Sequence, residues 1–173
     1  MSIGFMVNQD TAMIWRGPMV ISAIKTFTTN VLWDNLDYLV IDLPPGTGDA
    51  LLTFSQEIQI DGAVVISTPQ EVALLDANRG IKMFQKTKVN ILGIIENMSS
   101  FTSDDGKEHF IFGESGAQKM SKNLNIDLLG TIPIEIGLRE GADKGEPYME
   151  FVNDSPTSNK ILEIAKKISK KIK

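Results

Sequence analysis

The chain has 173 residues, 42% of them hydrophobic and 23% charged, with a formal net charge of −5 and no cysteine. That length suits one domain with a sizeable core. The acidic balance gives no general attraction to nucleic-acid phosphates, and the lack of thiols excludes disulfides and any cysteine-ligated metal or cluster site built by this chain alone.

The longest apolar runs, such as Tyr38–Leu43 and Ile91–Ile95, fall far short of the roughly 20 residues a membrane span needs. The opening stretch MSIGFMVNQD lacks the basic region and long apolar core of a secretory signal, so the expected setting is the reducing cytoplasm. Taking the elements in chain order, Gly17–Pro18 opens a predicted helix over Pro18–Asn30, with Met19, Ala23, Ile24 and Phe27 on one face. Asp37–Asp42 (DYLVID) reads as a buried strand followed by PPGTG, and Asp49–Ile58 as a helix. Asp61–Ser67 (DGAVVIS) is a second strand, followed by TPQ. A helix over Gln70–Lys86 follows, with Val72, Leu75, Ile81 and Phe84 in its apolar pattern. Ile91–Glu96 (ILGIIE) is a third strand, followed by NMSS. Ser99–His109 is the loop expected to be most mobile.

Glu114–Leu124 is a predicted helix and Asp127–Ile132 a shorter strand ended by Pro133. In the last helix, Pro156–Lys171, the residues Ile161, Leu162, Ile164, Ala165, Ile168 and Ile172 keep helical spacing. Lys166, Lys167, Lys170, Lys171 and Lys173 form either its solvated face or a basic tail for a partner. Continuous rather than alternating apolar strands suit a parallel sheet covered on both faces. Strands alternating with helices imply βαβ units with right-handed crossovers, an α/β fold with its functional loops beyond the carboxyl ends of the strands. No repeat, low-complexity stretch or linker divides the chain.

The most informative stretch is Asp37–Asp49, DYLVIDLPPGTGD. Asp42 ends an apolar run, where a carboxylate can hold a water of a hydrated magnesium ion and position it on the β- and γ-phosphates. Pro44 and Pro45 stiffen the approach, and Gly46, Thr47 and Gly48 let the backbone come close to a phosphate and change conformation. By itself, an Asp ending a strand reads more readily as a cap for the next turn.

The complete run DLPPGTGD closely resembles the Walker B and switch II segment of Mrp-type P-loop ATPases, the iron–sulfur cluster carrier branch of the ParA/MinD-like superfamily. The resemblance continues in order through WRGPM (Trp15–Met19), TPQEVALLDANRG (Thr68–Gly80), ENMS (Glu96–Ser99), FGESGA (Phe112–Ala117) and LGTIP (Leu129–Pro133). It ends with IGLREGADKG (Ile136–Gly145), similar to the family's closing nucleotide-side loops. It implies a P-loop NTPase-like, mostly parallel sheet with helices on both faces, ATP and Mg²⁺ as ligands, Asp42 as catalytic residue holding the metal through water, and a role in iron–sulfur cluster assembly. It also implies that Pro44, Gly46, Thr47 and Gly48 follow the nucleotide, that Asn97 meets the adenine edge, and that Pro133 forms the other wall of the base pocket. Asn97 otherwise reads as a loop cap. Asp76 and Arg79 are either near the dimer and nucleotide face or ordinary surface charges, and Arg16 and Arg139 could approach phosphates or a partner.

Two departures matter. No G-K-[ST] occurs anywhere, so the glycine–lysine phosphate loop of the resembling family is missing. Residues 1–173 are therefore expected to be the C-terminal part of a single P-loop ATPase domain, truncated at the N-terminus and inactive alone. In that superfamily the strand entering the phosphate loop lies between the strands matching Asp37–Asp42 and Asp61–Ser67. A gap or exposed strand edges are thus expected, filled by a separately encoded N-terminal half. Second, many family members carry C-x-x-C after ENMS, where this chain has SSFTSDDGKEHF. Direct carrying of an iron–sulfur cluster is not expected, and Asp104, Asp105, Glu108 and His109 read as a solvated loop or a hard-metal site. Expected partners are a second copy in a homodimer or that N-terminal half, with iron–sulfur client proteins, no nucleic acid and no membrane span. The alternatives are a ParA/MinD-like positioning ATPase, or a non-catalytic remnant acting as an interaction module.

Overall fold

A computed structural model describes Ser2, residues 17–43, Ser55 and residues 58–172. The chain divides into two compact units, Met1–Gln59 and Ile60–Lys173.

In the first unit, α1 spans Gly17–Thr29, one residue off the expected helix at each end. Ala23 is buried and Met19 is exposed. Thr28 and Thr29 turn their hydroxyls onto carbonyls of the preceding turn, and the Trp33 indole N–H donates to the Phe27 carbonyl at 2.9 Å, which closes the helix end. The strand expected over Asp37–Asp42 does not form. A strand exists only where a neighbour supplies the ladder, and no described residue does so here. Tyr38, Leu39 and Ile41 are consequently exposed, and Val40 is 90% exposed. The predicted helix Asp49–Ile58 lies almost entirely outside the described residues.

The second unit is a three-stranded parallel sheet in the order β1 (Ala63–Ser67), β2 (Ile91–Asn97), β5 (Leu128–Ile132). Between these strands run α2 (Glu71–Lys86), a hairpin of β3 (Phe101–Thr102) and β4 (Glu108–His109), and α3 (Gly116–Leu124). After β5 come α4 (Ile136–Lys144), α5 (Tyr148–Phe151) and α6 (Pro156–Ile172). Consecutive strand residues point to opposite faces, and two cores follow from that alternation. Val65 and Ile94 pack with Ile81 of α2 and Ala117 of α3 on one face. Ile95 and Leu129 pack with Ile164 of α6 on the other. In α2, Leu74, Ala77, Ile81 and Phe84 carry the inward stripe. Val72 and Leu75, expected in the apolar pattern, are 73% and 61% exposed, because they lie off the i, i+3, i+7, i+10 stripe that meets the sheet.

Two further expectations need correction. Within Ser99–His109, expected as a loop, Phe101–His109 forms a short two-stranded hairpin. Asp104 and Asp105 take the turn, Gly106 provides the positive φ of 79°, and Ser103 and Lys107 close it by a backbone bond of 2.9 Å. Asp105 also pairs with Lys107 at 2.7 Å and accepts from the Ser103 hydroxyl, and these bonds, Lys107 first, hold its carboxyl below the usual carboxylate range. Ile136–Gly145, expected as a loop, is mostly helix α4, ended by Gly145 in the left-handed conformation. Gly137 and Gly141 weaken its helical signal in the sequence.

The lysine-rich end of α6 is tied to the amino end of β5. Lys167 Nζ donates to the Leu129 carbonyl at 2.7 Å, and Lys171 pairs with Asp127 at 2.6 Å. Hydrogen bonding and then charge from Lys171 lower the Asp127 pKa. A depressed carboxylate stabilises the fold above its unfolded value, and that contribution is lost as pH falls through the folded value, so the window lies below about pH 4. In a Lys171→Ala variant, an NMR titration should show Asp127 returning upward to the ordinary carboxylate range.

Candidate nucleotide site at the carboxyl end of the sheet

Asn97 is the last residue of β2, and its register partner is Ile132, the last residue of β5. Pro133 follows Ile132 directly, so the parallel register alone brings Asn97 and Pro133 to the same end of neighbouring strands. Three contacts then knit the two loops together, and a fourth ties the Pro133 segment to α6. The Ser99 N–H and hydroxyl both donate to the Ile132 carbonyl, at 3.0 and 3.2 Å, and the Ile134 N–H donates to the Ser100 carbonyl at 2.7 Å. The Thr157 hydroxyl, in the first turn of α6, donates to Glu135 at 2.7 Å and holds the Pro133 segment from the other side. Ser99 and Ser100 are buried, so these bonds satisfy groups that would otherwise be stranded.

The Asn97 side chain is itself set by its loop. Its amide oxygen accepts the Met98 N–H at 3.0 Å, and Met98 adopts a left-handed φ of 54°, uncommon for a side chain of that size. The turn that produces this geometry is compact and ends in the Ser99 clamp. An amide held in this way offers both a donor and an acceptor to a base edge.

The remaining predicted residues divide clearly. Asp42 is in the first unit, exposed, on a segment without strand pairing. Pro44, Gly46, Thr47 and Gly48 lie outside the described residues, as does Arg16. Arg139 pairs with Asp143 at 2.7 Å and with Glu140 at 3.1 Å on the surface of α4, and Asp76 pairs with Arg79 at 3.6 Å on the surface of α2. Both are ordinary exposed helix pairs, worth a few tenths of a kcal/mol, roughly, at most. Among the described residues, His, Asp and Glu form no group of three able to hold a metal ion. Ser103, which bonds His109 at 3.0 Å, and Lys107 already engage the hairpin groups.

Sequence reasoning missed Glu96. It is buried, with 4% exposure, at the carboxyl end of β2, and its carboxylate accepts the Ala117 N–H at 2.7 Å. The available signal was a charged residue closing the otherwise apolar run ILGIIE, since a buried charge requires a partner.

These features define an α/β nucleotide-binding fold with its loops gathered at the carboxyl ends of parallel strands. The family described as "ParA: NUBPL iron-transfer P-loop NTPase" matches residues 1–169, and the chain belongs to it. It is 50% identical over 173 residues to the iron-sulfur cluster carrier protein of Synechocystis sp., an alignment covering 99% of this chain and 49% of that protein. The chain thus spans about half the length of the curated relatives it matches. Among solved structures it resembles the nucleotide-binding protein of Archaeoglobus fulgidus in complex with ADP. The TM-score is 0.69 and the identity 37%, over 81% of this chain and 56% of that one. The Pyrococcus furiosus cell division ATPase MinD shares the fold, with a TM-score of 0.64 and 22% identity over 90% of this chain and 59% of that one.

Proposed function

We propose that this chain is the base-side part of a nucleotide-driven iron–sulfur cluster carrier, one portion of a single P-loop ATPase domain that a further segment or chain completes. The observation that carries this reading is the clamped pair of loops that sets Asn97 beside Pro133 at the carboxyl end of the sheet. Asn97 would read the adenine edge and Pro133 would wall the base. Magnesium bound with ATP would supply charge neutralisation for the phosphates. Asp42, an exposed carboxylate, would hold it through a coordinated water. Pro44, Gly46, Thr47 and Gly48 would follow the γ-phosphate as a switch.

A completing strand is supported by the sheet itself. Among the described residues β1 pairs only with β2, and Ile66 on β1 is 60% exposed. A parallel strand is normally buried on both faces and flanked. The absence of cysteine bears on the cargo. Thiolate ligands for a cluster would come from a client or another chain, and this chain would contribute the nucleotide-dependent change of shape. A homodimer and a cytoplasmic setting belong to the same reading. No helix among the described residues is long and apolar enough to cross a membrane.

The test is co-expression with a chain that carries the glycine–lysine loop and its preceding strand. The expected result is stoichiometric co-purification, with magnesium-dependent ATP turnover and nucleotide-dependent cluster transfer to an apo-protein acceptor. The chain alone should show neither. Robust turnover by the chain alone, abolished in Asp42→Ala, would overturn the dependence on a completing strand.

A further inference from the structure

We propose that Glu96 is a positioning residue that caps α3 from the neighbouring strand and thereby sets the loop presenting Asn97. This rests on the reading of Asn97 as the base-facing residue. Helix α3 provides no cap of its own. Ser115 at its N-cap position is left-handed, with a φ of 58°, and makes no side-chain capping bond, and the first turn contains no acidic residue. The first N–H groups of a helix have no partner within it and carry partial positive charge. The Glu96 carboxylate meets that need, accepting the Ala117 N–H at 2.7 Å from a site 4% exposed.

The contact is tightened from the opposite side. A Cβ on Gly116 would lie 2.3 Å from the Pro69 carbonyl oxygen, so the start of α3 is pressed against the turn that follows β1. Ser67, Glu96 and Thr131 are register neighbours across the three strands. Glu96 therefore sits in the middle of the sheet's carboxyl end, immediately before Asn97. Its side chain points to the α3 face, while the following loop is clamped to β5 through Ser99. The carboxylate and the Ser99 clamp hold the two ends of one short turn. Loss of the first frees the α3 start to move and lets the Asn97–Ser100 backbone relax.

The test is ¹⁵N NMR of the full chain in three forms: native, Glu96→Gln and Glu96→Ala. Glutamine retains an acceptor and alanine does not. In Glu96→Ala, exchange of the Ala117 amide should accelerate about tenfold, in keeping with loss of a helix cap. The Asn97 side-chain amide and the Met98, Ser99 and Ser100 backbone signals should shift, and Glu96→Gln should restore both. Faster exchange confined to α3, with the Asn97–Ser100 signals unmoved, would reduce Glu96 to a cap and overturn the proposal. If the alanine variant fails to fold, the glutamine variant decides. Retained Ala117 protection with unmoved Asn97 signals supports positioning, and retained protection with displaced Asn97 signals contradicts it. These readouts need no nucleotide, so their failure concerns Glu96 alone. A failure of the base-site reading would appear only on adding nucleotide.

Discussion

In the completed assembly, Asp42→Ala is expected to lower magnesium-dependent ATP turnover by about 10–100-fold. That magnitude follows from the role proposed for the residue. A carboxylate that holds a metal-bound water is an outer partner of the ion, and loss of such a partner weakens the metal without removing its phosphate ligands. Asp42→Asn keeps the shape and an acceptor oxygen while losing the charge, so it should fall between wild type and alanine. A steady-state ATPase assay across magnesium concentration separates the effects. A metal-holding role predicts partial rescue at high magnesium, whereas a turn-capping role predicts no dependence on magnesium. Because Asp42 is exposed on an unpaired segment in this structure, its substitution should leave the melting temperature of the isolated chain unchanged.

Ile94→Ala is expected to destabilise the second unit by about 2–5 kcal/mol, measured by urea unfolding. Ile94 is 0% exposed and packs with Val65, Ile81 and Ala117, which come from three different elements. Truncation therefore leaves a cavity lined by β1, α2 and α3, and the rigid strand pairing on either side of β2 limits its collapse. Leu162→Ala is the control, since a leucine 44% exposed on α6 should change stability by only about 0.5 kcal/mol. Loss at Ile94 is also expected to reach the site. The same strand carries Glu96 and Asn97 two and three residues further on, and α3 leans on both Ile94 and Glu96.

Much of the second unit is legible in the sequence because its signals are local. The runs AVVIS, ILGIIEN and LLGTI are continuous and apolar, and each is closed by turn residues at the end where the candidate site lies. The long helices α2 and α6 declare themselves by period, and α6 also by its lysine-rich outer face. What escaped depends on tertiary partners. DYLVID is as good a strand sequence as ILGIIE, yet among the described residues only the second has strand neighbours on both sides. The hairpin over Phe101–His109 is made by hydrogen bonds among Ser103, Asp105 and Lys107, which composition reads as loop. Asn97 and Pro133 came from family resemblance, and their adjacency follows from a register that no single segment encodes. Glu96 was hidden for the same reason, because its partner lies 21 residues away in α3.

The loops after β2 and β5 are proposed to receive the base of a nucleotide. The most direct measurement is a ¹⁵N NMR titration of the chain with millimolar Mg-ATP, with Mg-GTP as comparison. The predicted result is that saturable shifts concentrate at Asn97–Ser100 and Thr131–Ile134, are larger for ATP, and are lost in Asn97→Ala. Shifts absent from those two loops, or confined to the lysines of α6, would contradict it.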